Sequence, residues 1–80
     1  MVLRRNISLP PQFLCPITGE IMRDPVMTCD GHAFERAAIE RWLTAHRTSP
    51  MTGMLLETTS LTPAIPLRQL IELHLKRGDE

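Results

Sequence analysis

Five side chains in this 80-residue chain are of types that ligate metals: Cys15, Cys29, His32, His46 and His74. A tetrahedral zinc ion draws about four Cys or His ligands, usually in closely spaced pairs such as Cys-x2-Cys. No such pair occurs here. A single-zinc site built from Cys15, Cys29, His32 and His46 is allowed by count and disfavoured by spacing, so the reading is metal: none, a point that metal analysis of purified protein checks. His74 falls on an apolar helical stripe and reads as a core or interface histidine. Cys15 reads as a small buried hydrophobe, whereas Cys29 and His32 fall in a turn. A single disulfide is the most that two cysteines allow, and a chain kept in a reducing compartment holds both as thiols. No catalytic triad is visible, and the expected catalytic set is none.

Residues of this kind need elements to position them. From Phe13 to Met22, apolar positions are broken by Pro16 and Gly19, the pattern of an ordered loop, here loop one. Pro25-Val26-Met27-Thr28, then Cys29-Asp30-Gly31-His32, then Ala33-Phe34 read as two strands joined by a turn, because Asp-Gly favours the positive dihedrals of hairpins. Ile39, Trp42 and Leu43 fall at i, i+3, i+4 among helix-forming alanines, which predicts a helix over about 35–45. The turn formers between His46 and Gly53 end it and open loop two. Leu55-Leu56 is the expected third strand. Leu67, Leu70, Ile71, His74 and Leu75 repeat at helical spacing, with Pro66 suited to the first turn, and predict a C-terminal helix over about 65–76 that stops at Gly78.

Composition narrows the class. Nine Lys and Arg balance nine Asp and Glu, so there is no net field to steer the chain to nucleic acid or to an anionic membrane, and a protein partner is expected. Apolar runs are far shorter than the roughly 20 residues that span a bilayer, and the start of the chain lacks a signal-peptide core. The expected localisation is cytoplasmic or nuclear. So short a chain buries only roughly 60% of its unfolded surface, which makes one small core the rule. The expected organisation is a flexible lead-in over 1–8, a domain over 9–77 and a tail over 78–80.

The order loop, hairpin, helix, loop, helix is that of RING-like domains, which two zinc ions ordinarily brace. In this chain Cys15-Pro16-Ile17 is followed by Thr18, where a zinc-binding relative places a second cysteine. The sequence resembles instead the U-box family of ubiquitin ligases, which keeps the RING-like fold without zinc. The resemblance runs through Leu9-Pro10, Phe13-x-Cys15-Pro16-Ile17, Glu20-x-Met22-x-Asp24-Pro25-Val26, Gly31-x-x-Phe34-Glu35-Arg36, Ile39-x-x-Trp42-Leu43, Ser49-Pro50-Met51-Thr52 and Leu61-x-Pro63, in order and covering about 9–75. It implies an α+β fold: two long loops, a small antiparallel hairpin or three-stranded sheet, a central helix and a C-terminal helix.

The resemblance also implies a function: recruiting a ubiquitin-charged conjugating enzyme (E2) and promoting transfer of ubiquitin to a lysine of a protein substrate. Ligases of this type act by positioning, with no nucleophile and no cofactor of their own. The residues that match the family's E2-binding positions are Ile17 and Thr18 in loop one, Trp42 on the central helix, and Pro50 and Met51 in loop two. Glu20, Asp24, Arg36 and Thr52, with Thr28 and Glu35, are candidates for the polar network that replaces zinc. Members of the family often dimerise, so a homodimer is among the expectations. Three departures stand out: Gly19, which offers no side chain where relatives often have one, Gly53, where several active ligases carry a long polar or cationic residue, and Ala64, where Asn is usual after Leu-x-Pro, which would loosen the C-terminal connection. They favour the alternative of a U-box-fold interaction module without productive transfer.

Overall fold

A computed structural model describes residues 10–78; the expected lead-in and the last two residues lie outside the described part. The described chain starts with a single 3-10 turn, Pro11–Phe13, and continues through strands β1 (Pro25–Met27) and β2 (Ala33–Glu35), helix α1 (Arg36–Ala45), strand β3 (Thr62–Pro63) and helix α2 (Ile65–Gly78). The sheet is antiparallel in the order β2-β1-β3.

The hairpin forms where Asp30-Gly31 predicts it. Val26 pairs with Phe34 and Met27 with Ala33, and Gly31 takes the positive φ of 88° that the turn demands. The third strand is elsewhere than expected. Leu55 makes only one isolated bridge, to Thr48, and β3 is Thr62–Pro63, paired with Met27 and Val26. Two apolar residues in a row suggest a strand, but Leu55 is exposed and Leu56 buried, and the backbone there closes loop two instead. Pro63 is tolerated because it sits on an edge strand.

Helix α1 begins one residue after the expected position. Its first amide, that of Arg36, donates to Asp24 O at 3.0 Å, so the residue just before β1 satisfies a donor that the helix cannot. The C-terminal helix runs through Gly78, past the expected 76. Ala64 does not loosen its approach: the Ala64 N–H donates to Pro25 O at 3.0 Å and the residue is buried. The main chain makes this join, so the Asn side chain is not required for it.

The core gathers Phe13, Cys15, Met22, Val26, Phe34, Ile39 and Ile71 from every element except β3. His74, half-buried, packs edge-on against the core ring of Phe13 at 5.4 Å. At roughly 1.5–3 kcal/mol per fully buried large apolar side chain, this small set must hold both loops in place. Cys15 and Cys29 are free thiols, the first buried and the second exposed. Among the described residues no helix is long and apolar enough to cross a membrane.

Candidate functional site

Loop one is locked from below. Met22 N donates to Phe13 O, Cys15 N to Glu20 O at 2.8 Å, and Gly19 N to Cys15 O at 2.7 Å, with Gly19 at φ 74° where a side chain would strain the turn. Thr18 Oγ1 accepts from Glu20 N at 3.1 Å. These bonds hold Ile17 at the tip, 39% exposed. The Ile17 hydrocarbon thus stands partly in solvent on a hydrogen-bonded loop.

Beside Ile17 lies one face of α1. A depression of about 290 Å³ is lined by Ile17, Thr18, Glu35, Ala37, Ala38 and Arg41. A second, of about 360 Å³, is lined by Ile17, Ala38, Arg41, Trp42, Thr44, Ala45 and His46. Ile17, Ala38 and Arg41 are common to both, so the two form one groove along the helix. Trp42 is half-buried and set by two contacts: its Nε1–H donates to Thr48 O at 2.7 Å, and the His46 ring stacks on it at 4.0 Å and 17°.

Loop two is tied to the helix through that Trp42 bond. Within it, the buried Ser49 Oγ accepts from Met51 N and Thr52 N, Thr52 Oγ1 accepts from Met54 N, and Gly53 closes the turn at φ 78°. Pro50 is half-buried and Met51 exposed. Neither lines the groove beside Ile17; Thr52 lines a different cleft with Cys29, Asp30, Met54 and Leu55. The structure thus brings together Ile17, Thr18 and Trp42, and sets Pro50 and Met51 in the adjoining loop.

Two polar clusters brace these loops. In the first, the Glu35 carboxylate accepts from Arg23 N at 2.7 Å and from Asp24 N at 3.2 Å, Glu35 N donates to Cys15 Sγ, and Arg36 Nε donates to Asp24 Oδ2 at 2.7 Å. The bond from Asp24, and then its charge, raise the Arg36 pKa above its usual value. In the second, the buried Thr28 donates its hydroxyl to Asp30. Hydrogen bonds from Ser49 and then Thr28 hold the Asp30 carboxyl below its ordinary value, outweighing the cost of burial, and His32 adds to the effect. Glu20 enters through its backbone carbonyl; among the described residues its carboxylate has no bonded partner.

The sequence profile of the U-box domain family matches residues 9–80. This chain belongs to the U-box family. Its U-box is 57% identical over 63 residues to WD repeat, SAM and U-box domain-containing protein 1 of Danio rerio, covering 78% of this chain and 13% of that protein. The human protein of the same name is 44% identical over 70 residues, 86% of this chain and 15% of that one. The E3 ubiquitin-protein ligase SPL11 of Oryza sativa subsp. japonica is 46% identical over 68 residues, 84% and 10%. The chain therefore spans well under a fifth of the length of these relatives. Its small sheet with two helices is the U-box fold, as the sequence motifs imply. Within this U-box, Glu35 proves the most connected member of the first cluster, and Arg41 and His46 stand in the groove unforeseen. A helical spacing that puts 38, 41, 42 and 45 on one face could have found Arg41.

Proposed function

We propose that this U-box docks a ubiquitin-charged conjugating enzyme in the groove between loop one and α1, and promotes transfer of ubiquitin to a lysine of a protein substrate. The observation that carries the reading is Ile17, an apolar side chain held exposed by a hydrogen-bonded loop beside Ala38 and Trp42. An apolar loop of the partner covers Ile17 and gains the free energy that exposure withholds. Trp42 supplies a flat, low-entropy contact of the kind that dominates interfaces. Pro50 and Met51, carried by the loop that Trp42 anchors, extend the contact.

The chemistry belongs to the partner. A lysine amine attacks the thioester carbonyl, an amide bond forms, and the conjugating enzyme's cysteine leaves as thiolate. The U-box contributes by restricting the charged complex to conformations that favour attack, an effect worth several kcal/mol in well-oriented systems. The two polar clusters do for the loops what zinc does in RING-like relatives, holding the groove's walls at fixed separation.

Discharge of ubiquitin from purified conjugating enzymes to free lysine tests this. Wild-type chain is expected to accelerate discharge of at least one enzyme, and a folded Ile17→Ala to lose most of that acceleration and the binding with it. If no enzyme in a broad panel binds or is discharged faster, the proposal fails. Gly53 favours a second reading, an interaction module without transfer: it offers no side chain to bridge enzyme and ubiquitin. Binding that depends on Ile17 without faster discharge is its signature.

A further inference from the structure

Arg41 lines both depressions that flank Ile17. The ion pairs among the described residues join Arg36 to Asp24 and Arg68 to Glu72, and leave Arg41 without one. The nearby carboxylates do not serve it. Glu35, which shares the first depression, accepts from the amides of Arg23 and Asp24. Glu40, next to Arg41 in sequence, makes no ion pair with it. At the other end of the groove His46 stacks on Trp42 and brings no negative charge. An unpaired arginine on an open helix face is ordinary. In the wall of an apolar docking groove it has a consequence, because a partner that covers the groove strips water from the guanidinium and must replace it with an acceptor.

Resting on the reading of this groove as the conjugating-enzyme dock, we propose that Arg41 selects among conjugating enzymes by charge. The preferred partner presents an Asp or Glu side chain to α1 next to the apolar residues that meet Ile17 and Trp42. A partner with Lys or Arg at that place is rejected, since like charges brought together in a desolvated interface are costly. The guanidinium fork takes a carboxylate in bidentate fashion, so lysine is a partial replacement only.

The test uses the whole 80-residue chain and purified, ubiquitin-charged conjugating enzymes, with the ligase concentration for half-maximal single-turnover discharge as readout. Arg41→Glu is expected to raise that concentration about tenfold or more on the enzyme that wild type prefers, at nearly unchanged plateau rate, with the difference shrinking at high salt. Arg41→Lys is expected to fall between the two. An enzyme whose facing acid is changed to Lys is expected to regain discharge with Arg41→Glu. Arg41→Glu and Arg41→Ala that behave as wild type on every enzyme, or Arg41→Glu that binds more tightly, overturn the proposal. Ile17→Ala in the same series separates the two ideas: loss of discharge there with Arg41→Glu silent leaves the dock standing without charge selection, and silence in both removes the dock as well.

Discussion

Asp30 shows how much a single exposed residue can be asked to do in a domain of this size. Its carboxylate sits in the hairpin turn, yet hydroxyls from Ser49 in loop two and Thr28 in β1's extension hold it in the ionised form. The folded pKa lies below the unfolded value, so the unfolded chain binds the proton more readily. The stability this supplies is therefore complete above the ordinary carboxylate range and is lost as pH falls through the folded value. Asp30→Asn is expected to destabilise the chain at pH 7, and the difference in urea midpoint from wild type is expected to shrink progressively as pH is lowered below the ordinary Asp value of roughly 3.9. A difference that stays constant with pH would assign Asp30 to packing or turn geometry instead. At this same scale the sequence reveals Ile17 and Trp42, because a proline-restricted loop tip and a lone tryptophan are unusual. It hides Arg41, which is one charged residue among several on α1 until the fold brings Ile17 beside it. Glu35 is similarly concealed: its amide partners, Arg23 and Asp24, lie across the hairpin and carry no side-chain signature.

Loop two is the element whose shape is set most by local turn rules. Its turn is closed by Gly53 N donating to Ser49 O at 2.8 Å and by the positive φ of Gly53, a conformation that costs other L-residues roughly 1 kcal/mol. A Cβ added there meets nothing within 4 Å, so the cost is one of backbone conformation alone. Gly53→Arg is accordingly expected to lower stability by about 1 kcal/mol and to leave the fold intact. Because the new cation stands where several active ligases carry one, discharge by Gly53→Arg is expected to exceed that of Gly53→Ala, which suffers the same backbone cost. Equal discharge in the two variants would show that the position has no part in orienting ubiquitin here. The hairpin and both helices are legible in the sequence from Asp30-Gly31 and from apolar spacing. The third strand is not, because two-residue β3 is defined by where α2 must begin: Ala64 N bonds to Pro25 O, and Thr62 and Pro63 are drawn alongside β1 as a result. Leu55-Leu56, the more strand-like pair by composition, is held by Leu56 N donating to Arg47 O and serves loop two.

The two polar clusters have their meaning in the molecule as a whole. One joins the residues that follow loop one to the end of the hairpin through Glu35, Asp24 and Arg36, with Glu35 N donating to Cys15 Sγ of loop one, and the other ties the hairpin turn through Thr28 and Asp30, whose carboxyl Ser49 of loop two helps hold low. Between them run the sheet and Ile39, Phe34 and Ile71, which unite the halves. Among the described residues no three His, Cys, Asp or Glu side chains converge on a common point that could hold a metal ion, and the bracing that the structure displays is made of hydrogen bonds and the Arg36–Asp24 ion pair. A strong chelator is therefore expected to leave the unfolding temperature unchanged, in contrast to zinc-braced domains, whose folding energy is binding energy. Ser49→Ala removes a buried hydroxyl that accepts from two loop amides, and is expected to cost about 1–3 kcal/mol. Glu35→Gln weakens the first cluster while keeping its shape, and is expected to cost less. Since the clusters share no partner, the double variant is expected to lose the sum of the two, to within about 0.5 kcal/mol, as read from denaturant unfolding. A clear excess over the sum would mean that loosening one loop loosens the other. The groove wall at Ile17 and the loop anchored by Trp42 would then move as one body rather than as two independently braced halves.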